Sequence, residues 1–148
     1  MHRRNMLQAA ISTIGAFFTA SGADAAAPAT TGKLRVVYHL SDFDRANFVL
    51  VNIGNHVDGV GGPENVTIAL VVHGPALRAF QTSAAHPGIT GPVVQLARAG
   101  YELAACGNSM RAQNLTLKDL LPGFVAAEKG GVVRIAELQA QGYLYIRP

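Results

Sequence analysis

Cys106 is the single cysteine of this 148-residue chain, and it stands where the local pattern changes. The apolar run "YELAAC" is typical of a strand, and the following "GNSMRAQ" indicates the start of a helix. There the thiol faces backbone N–H groups without partners, which together with the helix dipole favour an anion. Because the thiolate is the nucleophilic form of cysteine, Cys106 is a candidate for covalent chemistry, including storage of a persulfide anion. A buried cysteine that only packs, or one joined to another chain, is the alternative.

The residues after the cysteine suit such a site. Gly107 has no Cβ and lets the backbone approach the sulfur closely. Asn108 or Ser109 can cap the helix or form a hydrogen bond with the sulfur. Arg111, about one helical turn further on, adds positive charge. We therefore predict that these four residues bind or stabilise the group carried on Cys106.

Two histidines stand at the ends of other strand-like runs. His39 precedes the break at Ser41, and His73 precedes Gly74. Parallel strands end at one edge of a sheet, where ligands bind, so we expect both imidazoles near Cys106. There they would move a proton or orient an acceptor, with Ser41 and Gly74 in binding roles. The alternatives are hydrogen-bonded structural histidines or a Cys-His-His metal site. No local ligand spacing supports a metal site, and we predict none.

The elements that position these residues alternate between strands and helices. We predict strands at residues 34–40, 65–74, 101–106, 124–128 and 143–148. We predict helices at residues 43–59, 76–84, 92–100, 108–113 and 130–142, with a loop at 86–91. This alternation indicates an α/β fold, a three-layer α/β/α sandwich with a five-stranded, mainly parallel sheet. An α+β fold with some antiparallel pairs is the alternative.

Composition and the lack of certain motifs argue against several classes of function. The chain is 49% hydrophobic and 14% charged, as expected of one compact domain. Its net charge of +3 arises from scattered Lys and Arg residues, so we predict no nucleic-acid partner. No phosphate-binding glycine loop follows the first strand, and no G-x-S-x-G nucleophile elbow is present. We therefore expect no nucleotide and no other cofactor.

The first residues are typical of an export signal. Residues 1–25 combine a positive start, an apolar run at 9–20 and small residues at 23–25, as in a cleavable signal peptide. The apolar run is too short to span a hydrocarbon core of about 30 Å, so no stable membrane insertion is expected after cleavage. Arg3 and Arg4 resemble a twin-arginine signal, with general secretion as the alternative. We predict a periplasmic protein with a flexible lead-in at 26–32 and a domain at 33–148.

Five motifs in order resemble the DsrE/DsrF-like family, in its exported single-domain branch. They are "VVYHLSD", "VVHGPAL", "ACGNSMRAQ", "DLLPG" and "QGYLYIRP", within residues 33–148. The resemblance implies an α/β/α sandwich with the strand order 4-3-2-1-5. It also implies homo-oligomers, often trimers or hexamers, and a link to sulfur metabolism. In better understood members a cysteine near the sheet edge carries sulfur as a persulfide, and Cys106 is the matching residue.

These observations predict a periplasmic protein that carries sulfane sulfur on Cys106, with His39 and His73 assisting. A thiol donor or acceptor protein would then be its partner, and such a carrier need not be an enzyme in the strict sense. The alternative is a non-catalytic oligomeric module that binds a small ligand or a metal at the same edge.

Overall fold

The computed structural model describes residues 32–148; the predicted signal peptide and residues 26–31 of the lead-in lie outside them. The strands are β1 Leu34–Leu40, β2 Val66–Val72, β3 Glu102–Cys106, β4 Phe124–Ala127 and β5 Leu144–Ile146. The α-helices are α1 Ala46–Gly59, α2 Pro87–Arg98, α3 Gly107–Ala112 and α4 Gly131–Ala140. Short 3₁₀ helices occupy Phe43–Arg45, Pro63–Asn65, Gly74–Phe80 and Leu117–Asp119. Within residues 32–148 no helix has the length and apolar character needed to cross a membrane.

The five strands form one sheet in the order β4-β3-β2-β1-β5, and each neighbouring pair is parallel. The α/β fold and the strand order implied by the resemblance are therefore confirmed. The register places Leu40 of β1 beside Val72 of β2, and Val72 beside Ala105 of β3. Because these positions are level, the carboxyl ends of the three strands meet at one edge.

Helices cover the sheet on both faces. Ile53 of α1 and Val93 of α2 are buried in the larger core, on one face. Ile135 and Leu138 of α4 are buried in a smaller core on the other face, with strand residues such as Val71. The apolar strand residues are buried on both sides, as a sandwiched parallel sheet requires. The three-layer α/β/α architecture is therefore confirmed.

The predicted loop at 86–91 is wrong, because α2 begins at Pro87. A proline is favourable at the first position of a helix, where its missing N–H would have no partner. Pro92 lies inside the same helix. The helix predicted at 76–84 is instead the 3₁₀ helix Gly74–Phe80, with Pro75 in its first turn.

Candidate functional site

Cys106, His73 and His39 project from the same face of the sheet. Val71 and Ala104 belong to the small core beneath α4. Side chains two residues apart on a strand share a face, so His73 and Cys106 point toward the α4 side. His39 lies on β1, next to β2, and its ring meets that of His73. The three predicted residues form a row across adjacent strands.

The sulfur of Cys106 lies where two helices begin. Cys106 is the N-cap residue of α3 and is only 5% exposed. Three donors of α3 act on Sγ without a side-chain cap hydrogen bond of ordinary geometry: the N–H groups of Asn108 and Ser109, and the Ser109 hydroxyl. The N–H group of Gly131, the first residue of α4, is also directed at Sγ. A neutral thiol is a weak acceptor, so these donors act mainly on the thiolate.

The net effect of this environment is to favour the thiolate. Burial is the largest single influence and raises the pKa of the Cys106 thiol. The donors of Ser109, Gly131 and Asn108 together outweigh burial, so the pKa lies below its ordinary value. Ser109 Oγ accepts a hydrogen bond of 2.8 Å from the backbone N–H of Gly74, which leaves the hydroxyl proton for the sulfur. Gly74 therefore contacts Ser109 and does not itself line the cleft.

Two glycines bring the start of α4 to the sulfur. A Cβ on Gly131 would lie 3.2 Å from the Cβ of His73 and 3.3 Å from the Cβ of Cys106. Gly130 has a φ of +106°, and a Cβ there would lie 2.7 Å from Nδ2 of Asn108. A Cβ at Gly131 would crowd both of these Cβ atoms, and the positive φ of Gly130 disfavours any other residue there. From the sequence, Gly130 is predicted only as the start of a helix; the Gly-Gly pair there is the signal for this close contact.

The sulfur opens into a small cleft. This cleft of about 260 Å³ is lined by His73, Cys106, Asn108, Ser109, Lys129, Gly130, Gly131, Val132 and Val133. Lys129 brings a cation, whose Nζ is 3.6 Å from a carboxylate oxygen of Glu137. A larger cleft of about 560 Å³ lies nearby, but its Arg134 is paired to Glu102 at 2.6 Å. The smaller cleft contains the nucleophile and is the candidate site.

The two histidines contact each other. Nε2 of His39 and Nε2 of His73 are 2.5 Å apart, and Nδ1 of His39 is 2.6 Å from the hydroxyl of Tyr145. Burial is the main reason that the pKa of both imidazoles is lowered. The nearby Arg147 guanidinium lowers both further, whereas Asp42 opposes the shift. Both rings are therefore held in the neutral form, which can accept and donate a proton.

Four predicted binding residues do not line the cleft: Gly74, Gly107, Arg111 and Ser41. The Arg111 guanidinium donates to Oδ1 of Asn108 and lies 3.8 Å from the Glu128 carboxylate. Arg111 does not line the cleft, so its charge does not lie beside the sulfur as predicted. Ser41 Oγ accepts a hydrogen bond of 2.8 Å from Arg147 instead of facing the cleft.

Gly107 also has a role different from the predicted one. A Cβ there would lie 3.0 Å from the carbonyl oxygen of Ala127 and 3.1 Å from that of Glu128. Gly107 therefore lets α3 pack against the end of β4, and it allows close approach to backbone at that place.

A metal site has no support from the geometry of the part of the chain that the structure describes. Among residues 32–148, no three His, Cys, Asp or Glu side chains are grouped so that they could hold a metal ion. Cys106, His73 and His39 lie along a row and do not surround a common point.

A sequence model of the DsrE/DsrF-like family matches residues 17–148. The chain belongs to this family. A solved structure, described as a protein of unknown function from Methanobacterium thermoautotrophicum, is similar, with a TM-score of 0.67 and 28% identity. The similarity covers 78% of this chain and 99% of the archaeal chain. No curated protein matches the sequence. As a member of the DsrE/DsrF-like family, the chain shares a family association with sulfur relay.

We predict that Ser109→Ala raises the pKa of Cys106, because it removes the hydroxyl donor to the thiolate while the amide donors stay. The measurement is the rate of alkylation of native protein by iodoacetamide as a function of pH. Ser83→Ala, at an exposed position, is the matched control and should leave the profile unchanged. An unchanged profile in Ser109→Ala would show that the hydroxyl does not act on the sulfur.

We also predict that the histidine pair makes stability depend on pH. Both folded-state pKa values lie below the ordinary value of 6.5, so the unfolded chain binds more protons as the pH falls through 6.5. The free energy of unfolding should therefore decrease with falling pH, and less steeply in the double variant His39→Asn, His73→Asn. Urea unfolding over a pH series measures this slope. The exposed His86→Asn is the control, and equal slopes in the double variant and wild type would contradict the prediction.

Proposed function

We propose that this DsrE/DsrF-like protein carries sulfane sulfur as a persulfide on Cys106. The observation that carries the proposal is the set of donors at Sγ, which come from two helices and one hydroxyl. These donors stabilise the Cys106 thiolate, which is the attacking group when sulfur is loaded and the leaving group when sulfur is released. A cysteine kept only for packing needs no such donors.

Sulfur is loaded onto Cys106 by an exchange between a thiolate and a persulfide, without net oxidation. The Cys106 thiolate attacks the outer sulfur of a donor persulfide, R–S–SH. A new S–S bond forms at Sγ, the donor S–S bond breaks, and R–S⁻ leaves with the electron pair. The product is Cys106–S–SH, whose proton is lost to give the anion. The lowered pKa of Cys106 increases the fraction of the attacking thiolate.

Unloading reverses the roles. An acceptor thiolate attacks the outer sulfur, and Cys106 leaves as a thiolate. A thiol of lower pKa is a better leaving group, so the amide and hydroxyl donors that help loading also help release. His73, which lines the cleft, takes the proton of the incoming thiol. The established contacts of one site therefore support both half-reactions.

The surface around the cleft suits a protein partner with a thiol. Val132 is 68% exposed and Val133 is 41% exposed, and both line the cleft. Exposed apolar side chains beside a reactive group are typical of a contact surface. We propose that the donor or the acceptor is a protein whose cysteine enters this cleft.

The setting of this chemistry is also a proposal. The export signal predicted in residues 1–25 supports a periplasmic location. Phe43, Phe48 and Val51, each 50% exposed, support burial between copies in a trimer or hexamer. Light scattering on the purified mature chain gives its assembly size, and a monomer would contradict the oligomer.

Treatment of the native protein with polysulfide should add one sulfur atom to Cys106, and a small acceptor thiol should remove it. Peptide mass spectrometry locates the adduct, and intact mass over time gives the rate of removal. Cys106→Ser should gain no sulfur. In Ser109→Ala both loading and release should be slower, since both depend on the stabilised thiolate.

Two outcomes would contradict the proposal. One is a wild-type protein that gains no sulfur on Cys106. The other is equal loading and release in wild type and Ser109→Ala, which would mean that Cys106 reacts as any thiol does. Retained binding of a small ligand by Cys106→Ser, with no sulfur on the wild type, would favour the non-catalytic binding module. Thermal unfolding of each variant establishes that it is folded.

A further inference from the structure

The hydroxyl of Tyr145 closes a chain of contacts that begins at the cleft. Tyr145 lies on β5, and its position level with Val37 of β1 places it on the same face as His39. Its hydroxyl is 2.6 Å from Nδ1 of His39, and Nε2 of His39 is 2.5 Å from Nε2 of His73. His73 lines the cleft with Cys106. Two side chains, His73 and His39, thus connect the cleft to Tyr145, which is 43% exposed.

The two imidazoles meet edge to edge. Their ring centres are 4.7 Å apart, their planes differ by 17°, and their Nε2 atoms are 2.5 Å apart. The distance between the centres is about the Nε2 separation extended by the radius of each ring. The centres can be this far apart only if both Nε2 atoms lie nearly on the line that joins the two ring centres. Each Nε2 therefore points at the other, and the contact accommodates one proton.

This geometry restricts the arrangement of protons. A neutral imidazole has one N–H and one bare nitrogen. The hydrogen bonds of the two rings must therefore all point in the same direction. In one arrangement, His73 Nε2–H donates to His39, and His39 Nδ1–H donates to the Tyr145 oxygen. The phenol proton then faces solvent, and His73 Nδ1 is bare. In the other arrangement every proton has shifted, and His73 Nδ1 carries the proton.

We propose that His73, His39 and Tyr145 form a proton relay from the cleft to solvent, in which Tyr145 and His39 are positioning residues that keep His73 Nδ1 bare. The proposal rests on the proposed sulfur carriage. An acceptor thiol gives its proton to His73 Nδ1, His73 Nε2–H passes to His39, and His39 Nδ1–H passes to Tyr145. The Tyr145 phenol releases its own proton to water. The thiol becomes a thiolate, one proton reaches solvent, and no residue is oxidised or reduced.

The surrounding charges favour neutral rings in His39 and His73, so the pair can pass a proton on without keeping a positive charge. Arg147 follows Tyr145 in the chain, and its guanidinium lies 3.3 Å from the Asp42 carboxylate. Arg147 opposes a positive charge on either ring, and Asp42 offsets part of that effect. On the cleft side, Lys129 and Cys106 are the other ionisable groups. Neutral rings keep the single-proton contact between the two Nε2 atoms.

The test compares Tyr145→Phe with wild type by nitrogen-15 NMR of the histidine rings. Phenylalanine keeps the ring and removes the hydroxyl, so His39 Nδ1 loses its acceptor. In wild type at neutral pH we expect His39 protonated at Nδ1 and His73 protonated at Nε2, each as one tautomer. In Tyr145→Phe we expect mixed tautomers in both rings. Tyr143→Phe is the matched control, because Tyr143 faces Arg35 and not the histidines.

The second measurement is the rate of sulfur transfer from loaded Cys106 to a small thiol as a function of pH. Positioned acid–base groups contribute at least a hundredfold, and we expect Tyr145→Phe to slow transfer about tenfold at neutral pH. The loss should disappear at high pH, where the acceptor is already a thiolate, and Tyr143→Phe should behave as wild type.

Unchanged tautomers in Tyr145→Phe would overturn the relay, as would a loss of rate that persists at high pH. The failure of the relay and the failure of sulfur carriage are distinguishable. The NMR result does not involve sulfur, and loading of Cys106 is measured on the same samples. A protein that loads and releases sulfur with unchanged tautomers retains the proposed function and excludes the relay.

Discussion

The convergence of backbone N–H groups on the sulfur of Cys106 is the interaction on which the site depends. One set of donors belongs to the first turn of α3, and another donor belongs to the start of α4. Burial alone would keep this thiol protonated and inert. Because the donors outweigh burial, a nearly enclosed cysteine still favours its anion. The start of α4 can lie this close to Cys106 because Gly130 and Gly131 have no Cβ in the contact.

The parallel sheet supplies the second constraint. Its register makes the ends of β1, β2 and β3 level, so the cysteine and two histidines lie along one edge although they are far apart in sequence. The short edge strand β5 then brings Tyr145 to His39. The proposed loading, release and proton movement involve side chains from four adjacent strands on one face. α4 closes that face and leaves the small cleft as the opening to the sulfur.

Much of this arrangement could be predicted from the sequence because the strands are short, apolar and ended by clear breaks. Cys106, His39 and His73 were identified from those breaks, and the family motifs gave the strand order. The contact of His39 with Tyr145, 106 residues away, could not be predicted, because it depends on the register of β5. The position of the Arg111 guanidinium could not be predicted, because sequence spacing gives the helical turn of a residue but not the groups that its side chain contacts. Asn108 and Glu128 bind this guanidinium. Pro87 suggested a loop because proline both ends and begins helices.

The most direct test of the central claim is the pKa of Cys106, measured in the native protein and in the same chain unfolded by urea. The ultraviolet absorbance of the thiolate, followed over a pH titration, reports both values without a reagent that must enter the cleft. The account predicts a native value below the unfolded one, because the helix donors exist only in the folded chain. A native value equal to or above the unfolded one would show that burial prevails, and Cys106 would then be a packing residue.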